Sequence, residues 1–298
     1  MTCTAVGWAL KTIVDSSSSF SDSSERYDVV LESLKRVRRF ETSGISRGDG
    51  SMHADCVREK PSIVKGVIRL QPGMNALTPW FSRILRGSGN GLLGDAIPTF
   101  NIMLHRENGV FLLSDCVVNV ADFISRTGAA RQIDEYLELR MEILGKAESM
   151  GSWPDPEPTY TPEQPYSHHD SYFAIDGEVT EISSAHLRIH NNFIPSKFFQ
   201  SLSPQCWRSK GRSVRLFVEC PFTSQIHTTA RAMADTPESV VLAYPRSGDG
   251  IYFSLPIARN NYQAPTVLDK GPYSLSMDLQ GFRNQAIPEL QVVSNAWT

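Results

Sequence analysis

The sequence predicts an α+β protein: a mixed helix and strand N-terminal half, then an antiparallel, β-rich, sandwich-like C-terminal half. Three observations lead there. Apolar residues recur at helical spacing near residues 25–39 and 131–149. Apolar and polar residues alternate in several later runs, and fourteen of the eighteen prolines fall after residue 150. Five of those prolines crowd into WPDPEPTYTPEQPY, a stretch that cannot continue a helix or enter a central strand. The expected division is therefore an α+β region over 1–150, an acidic proline-rich linker or arm over 151–169, and a β-rich region over 170–298.

Residues 15–24, DSSSSFSDSS, read as a polar loop. In SSERYDVVLESLKRVRRF, Tyr27, Val30, Leu31, Leu34 and Val37 stand at helical spacing. Asp22 and Glu25 have the offset of a capping box, and Lys35, Arg36, Arg38 and Arg39 suit the negative end of a helix dipole. A second helix is expected over 131–149, from Ile133, Leu137, Met141 and Leu144 on one face and Gly151 beyond its end. Between them, SIVKGVIRLQ reads as a strand and NIMLHRENGVFLLS as a hairpin turning at Asn108-Gly109.

After the arm, SVRLFVEC puts Val214, Leu216, Val218 and Cys220 on one side and Ser213, Arg215 and Glu219 on the other, with Phe217 the exception. SVVLAYPRSGDGIYFSLPI reads as a hairpin around Gly248-Asp249-Gly250. Further strands are expected near 171–175, 179–190, 273–282 and 290–294, and a short helix from Pro195 through KFFQSL.

Composition narrows the function classes. The chain has 298 residues, 41% hydrophobic and 20% charged, which suffices for a proper core and excludes wholesale disorder. No apolar stretch reaches the ~20 residues of a membrane helix. The first 14 residues lack a basic leader and a clear cleavage site, so a cytoplasmic protein is expected. The cysteines (Cys3, Cys56, Cys116, Cys206 and Cys220) are odd in number and contain no CxxC. Neither a zinc site nor a disulfide framework follows.

Net charge is −3, but it is unevenly spread. Residues 151–183 carry seven acids and no base, whereas 184–298 carry eleven bases against seven acids. Within that basic region lies CWRSKGRSVR, where Arg208, Lys210, Arg212 and Arg215 accompany Trp207, with Lys197, Phe198 and Phe199 shortly before. Cations that neutralise phosphates beside a flat ring on which a base can stack form a generic surface for single-stranded nucleic acid. A solvated loop with Trp207 and Phe198 turned into the core accounts for the same letters.

Other constellations carry less. Five of seven histidines (His168, His169, His186, His190 and His227) lie within sixty residues. The HLRIH pair alternates with Ala185, Leu187 and Ile189 as a strand does, which sets its imidazoles ~13 Å apart, too far to share an ion. His168 and His169 read as solvated arm residues. Gly89-x-Gly91-x-x-Gly94 spells a dinucleotide fingerprint, but Pro98 follows and no helix is expected after it. GxxxxGK[ST] and HExxH are both missing, and Cys220 falls on an apolar strand face where burial disarms a thiol.

Two readings remain. The first is a non-enzymatic binding or assembly protein without cofactor or metal. It contacts nucleic acid or nucleoprotein through Lys197, Trp207, Arg208, Lys210, Arg212 and Arg215, with self-association and protein partners at the proline-rich arm as further contacts. Viral matrix and movement proteins offer an analogy of build, with no motif behind it. The second is a hydrolase or lyase that gathers His186, His190 or His227 with a carboxylate or thiol.

Overall fold

The computed structural model describes residues 11–15, 20, 24–27, 29–36, 39–42, 57–60, 62–85, 97–127, 135–156, 158–159, 163–196, 203–261, 274–284 and 287–294. The first part of the chain forms β1 (Lys11–Asp15), β2 (Glu25–Tyr27), β3 (Leu31–Glu32), β4 (Lys35–Arg36), β5 (Arg39–Thr42), β6 (Val57–Lys60) and β7 (Val64–Leu70). Then come α1 (Met74–Leu85), β8 (Phe100–Arg106), β9 (Gly109–Arg126), β10 (Glu138–Gly145) and β11 (Ala147–Met150). The second part forms β12 (Tyr172–Ile175), β13 (Glu178–Val179), β14 (Ser184–His190), β15 (Phe193–Ser196), β16 (Cys206–Ser209) and β17 (Ser213–Pro221). It ends with α2 (Ser224–Asp235), β18 (Glu238–Tyr244), β19 (Ile251–Asn260), β20 (Ser274–Gly281) and β21 (Gln291–Ser294).

Among the described residues the architecture is mostly antiparallel β, which corrects the expected α+β class with its helical N-terminal half. β5 pairs with β6 and β15 with β16, while the other seventeen strands belong to one hydrogen-bonded sheet. Two α-helices accompany it among the described residues. Neither is where helical spacing placed one.

The stretch expected as the first helix is a chain of short strands instead. β3 and β4 lie along β7, with Leu31 opposite Arg69 and Lys35 opposite Lys65. Ser33 and Leu34 bridge them across Gly66, where a Cβ would run into the Ser33 carbonyl and the Leu34 Cα. Glu32 faces inward and takes the Arg106 guanidinium, with Nε 3.1 Å and NH2 2.8 Å from its two oxygens. An open edge of β7 and a buried ion pair thus outweigh local propensity.

The second expected helix fails because two periods coexist in its letters. Leu137, Leu139, Met141 and Ile143 repeat every second residue, and all four are fully buried. β10 uses that period against β7 and β9. Residues 131–134 lie outside the described ones, as do Asp22, the glycine motif at 89–94 and the segment 197–202. Pro195, expected to open a helix, sits in β15 opposite Trp207.

The helix that forms early is α1. Leu77, Trp80, Phe81, Ile84 and Leu85 make its buried stripe, and Pro79 inside it disguises the pattern. No helix among the described residues is long and apolar enough to cross a membrane.

The remaining strand expectations match the structure: β7, the β8–β9 and β18–β19 hairpins, and strands within 171–175, 179–190, 273–282 and 290–294. The long β9 joins the parts. Its first half pairs with β8 and β11, its second with β10 and β14. The sheet then continues β14–β17–β20–β19–β18–β12. Strands from either side of the proline-rich stretch are therefore neighbours. Four strand spacings separate β9 from β19, about 19 Å if the sheet were flat. Yet the Phe123 and Phe253 ring centroids are 5.0 Å apart, and Phe81 of α1 is 5.8 and 6.0 Å from them. The sheet curls around α1, and the core fills the curl.

The proline-rich stretch lies on this body. Pro158 and Tyr166 are buried. The Glu163 carboxylate accepts from Asn75 N at 2.8 Å and Ala76 N at 2.7 Å, capping α1. Arg246 donates to the Gln164 and Pro165 carbonyls at 3.0 and 2.9 Å and covers the Tyr166 ring.

Candidate nucleic-acid interface

The curl leaves the sheet with a buried inner face and a solvated outer one. On β14, Ala185, Leu187 and Ile189 are buried, while His186, Arg188 and His190 point outward. On β17, Val214, Leu216, Val218 and Cys220 are buried, while Arg215, Phe217 and Glu219 point outward. Directly opposed residues on neighbouring strands share a face, so the pairing register determines what the outer face carries.

That register builds one row. Arg69 stands opposite Arg140, Arg140 opposite Asp122, and Asp122 opposite Arg188. Arg188 stands opposite Arg215, Arg215 opposite Gln280, and Gln280 opposite Arg259. Five arginines from β7, β10, β14, β17 and β19 thus line up across seven adjacent strands, with Asp122 of β9 and Gln280 of β20 between them. At ~4.8 Å per strand the row is about 29 Å long.

Some of the positive charge is compensated locally. Asp122 lies 2.8 Å from His186 Nε2 and 3.2 Å from Arg188 Nε. Arg215 pairs with Asp278 and covers the Phe217 ring at 5.1 Å, and Arg69 pairs with Glu138. Arg140 and Arg259 are exposed and have no ion-pair partner among the described residues. The Arg188 and Arg215 side chains remain 49% and 42% exposed despite their partners, enough for a second anion to reach them. His186 and Phe217, with ring centroids 5.6 Å apart, add ring surface beside the row.

The basic segment singled out in the sequence is divided by the fold. Arg208 and Lys210 are exposed on and just after β16, where Lys210 N donates to the Asn192 carbonyl at 3.1 Å and continues the β15–β16 pair. Arg212 turns inward: its side chain is 8% exposed, 3.5 Å from Glu289, and its Nε donates to Asn191 Oδ1 at 2.9 Å. Burial lowers its pKa, with Glu289 opposing, and an arginine so placed serves the fold. Trp207 donates its indole N–H to the Asp115 carbonyl at 2.8 Å, which holds the half-buried ring in place. Arg215 joins the row. Lys197 lies outside the described residues.

The histidines do not converge. His186 and His190 are four residues apart on β14, and His227 is on α2, beside Phe222. Among the described residues no group of three or more His, Cys, Asp or Glu side chains is placed to hold an ion. The Cys220 thiol is buried, donates to the Leu275 carbonyl, and is pushed up to about 11 by burial.

His168, expected as a solvated arm residue, is buried instead. Its Nδ1 lies 3.0 Å from Ser125 Oγ, which lies 2.6 Å from the Tyr244 hydroxyl, and its Nε2 is 3.3 Å from the Ile182 carbonyl. Ser125 and Tyr244 are as deeply buried, so this network ties β9 and β18 together behind the face. Burial holds the His168 imidazole below its ordinary pKa.

Arg69, Arg140, Arg188 and Arg259, with Asp122 between them, are residues of the row that the linear reading missed. They lie on different strands far apart in the chain, and only pairing register assembles them. No protein-family model matches the chain, and no curated protein is significantly similar to it.

Proposed function

We propose that this is a binding protein that holds single-stranded nucleic acid, free or within a nucleoprotein, across the outer face of its sheet. The observation that carries the reading is the arginine row: cations repeated across neighbouring strands, with ring faces of His186 and Phe217 beside them. Guanidinium groups can trade part of a carboxylate contact for a phosphate oxygen, and aromatic faces accept unpaired bases of any sequence. Binding of this kind is sequence-tolerant and falls steeply with salt. Arg208 and Lys210 are exposed beyond the end of the β14–β17 pair, on and after β16, and would add positive charge at that end.

The test is fluorescence anisotropy with a single-stranded oligoribonucleotide longer than the row. Arg188→Gln is expected to weaken binding about tenfold, the equivalent of one charge-assisted contact of ~1.4 kcal/mol. Arg231→Gln, on the exposed side of α2, is the control and leaves affinity unchanged. Equal losses in both variants, or stronger binding to anionic vesicles than to the oligonucleotide, contradict the reading.

A further inference from the structure

A hollow of about 480 Å³ lies beside the end of β17, between the β12–β13 hairpin and α2. Ile175, Val179, Pro221 and Ile226 give it an apolar lining, and Asp176, Glu178, Glu181 and Glu238 add carboxylates. We infer that this hollow receives the β15–β16 hairpin of a second copy of the chain, with Ile194 against the apolar lining and Arg208 and Lys210 on the carboxylates. The inference goes beyond the reading of the outer face and does not rest on it.

Asp176, Glu178 and Glu181 are exposed, Glu238 is half-buried, and none of the four has an ion-pair partner among the described residues. The chain from Asp170 to Ser183 has no lysine or arginine, and Arg231 of α2 is not part of the lining. Val179 is 64% exposed, so apolar surface meets water in the midst of negative charge. Its strand, β13, pairs only with β12 among the described residues, which leaves an edge beside the hollow. Carboxylates alone attract any cation. The apolar lining restricts the occupant to one that brings an apolar side chain together with its positive charges.

The β15–β16 hairpin has that combination. Ile194 stands opposite Arg208, and Lys210, whose N–H continues the pairing, falls on the same face. Trp207 alternates to the other face, where its indole N–H is bound to the Asp115 carbonyl. The face with Ile194, Arg208 and Lys210 is therefore turned away from the body, and all three residues are exposed. The charge of the segment has one sign along its whole length: from Phe193 to Arg212, including 197–202, the sequence has no Asp or Glu, and Lys197 is a further base.

One copy cannot make this contact with itself. β15 follows β14 and β16 precedes β17, whereas the hollow is lined by Glu181, before β14, and by Pro221, at the end of β17. The two patches thus lie at opposite ends of the β14–β17 pair, and the nine residues of β17 hold them about 26 Å apart. Two different patches at opposite ends of one body make a head-to-tail contact, which closes into a ring or continues as a chain of copies. A neighbour seated on Arg208 and Lys210 leaves the five arginines of the row open.

The experiment is sedimentation velocity on nuclease-treated protein over a series of concentrations. The wild-type protein is expected to sediment faster as concentration rises, and less so at high salt. Arg208→Glu/Lys210→Glu and Glu178→Lys/Glu181→Lys, each confirmed folded by thermal melting, are expected to lose that concentration dependence, because like charges then face each other. Mixing the two variants restores it: the basic hairpin of one still fits the acidic hollow of the other, and the two reversed patches fit as well. Arg188→Gln, in the row, associates as the wild type does. A wild-type protein that stays monomeric at every concentration overturns the inference. So does a mixture no larger than its components, or association that either double variant leaves intact. The reading of the outer face stands or falls separately, on the oligonucleotide affinity of Arg188→Gln.

Discussion

Arg188 and Arg215 stand directly opposite each other on adjacent antiparallel strands, two like charges in the position where they repel most. The fold tolerates them because each has its own carboxylate on the strand beyond: Asp122 of β9 for Arg188, Asp278 of β20 for Arg215. A cation pair held this way costs stability when a carboxylate leaves and gains affinity for an incoming anion. Asp278→Asn is therefore expected to lower stability modestly, by about 0.2–1 kcal/mol for so exposed a pair. The same change raises affinity for a single-stranded oligonucleotide. Chemical denaturation and anisotropy on the same preparation check both signs, and weaker binding would show that Asp278 supports the ligand rather than competing with it.

Stability should also depend on pH through His168. Burial lowers its folded-state pKa, so below the ordinary imidazole value near 6.5 the unfolded chain binds a proton that the folded chain resists. The stability present above that value is lost as pH falls through it. Urea midpoints measured between neutral and mildly acidic pH are expected to decrease on acidification, and His168→Gln to flatten that part of the profile. An unchanged slope in the variant would assign the loss to other groups.

The proline-rich stretch is expected to stay on the body because of Glu163. A Cβ at Gly73 would sit 2.7 Å from the Glu163 carboxylate, so Gly73→Ala pushes the cap off α1. Glu163→Gln keeps the shape and removes the charge, which costs about 0.3–1 kcal/mol of dipole stabilisation. Limited proteolysis within 151–169 should be faster in Gly73→Ala than in wild type, with Glu163→Gln intermediate. Identical rates would mean that Arg246 and Tyr166 hold the stretch without the cap.

The curl of the sheet rests on Phe123 touching Phe253 and Phe81. Phe123→Ala removes the shared ring and is expected to cost about 3–5 kcal/mol. A loss below 1 kcal/mol, measured by denaturant titration, would show that the inner faces do not depend on this contact.

Strands with an unambiguous period were legible. Val214, Leu216, Val218 and Cys220 identify the buried face of β17 from spacing alone, and the glycines of the two hairpins mark their turns. Tertiary demands hid the rest. Leu137 and Met141 belong to both a helical and an alternating series, and only the pairing of β10 with β7 and β9 decides between them. Glu32 looks like a surface residue until Arg106, far along the chain, is brought to it. The candidate site shows the same limit. Arg215 was legible because its neighbours are basic, and Arg212 in the same cluster proved to be a buried partner of Glu289. Arg69, Arg140 and Arg259 carry no local signal, since a row across a sheet is written in register rather than in any one segment.

Salt dependence tests the central claim most directly. Arg140 and Arg259 have no ion-pair partner among the described residues, so Arg140→Gln/Arg259→Gln removes two cations without exposing a carboxylate. The slope of log K against log salt for a hydroxyl-terminated single strand is expected to become shallower by about 1.4, or ~0.7 for each lost phosphate contact. A slope equal to that of wild type, in a variant with an unchanged melting temperature, would mean that the strand does not cross the arginine row.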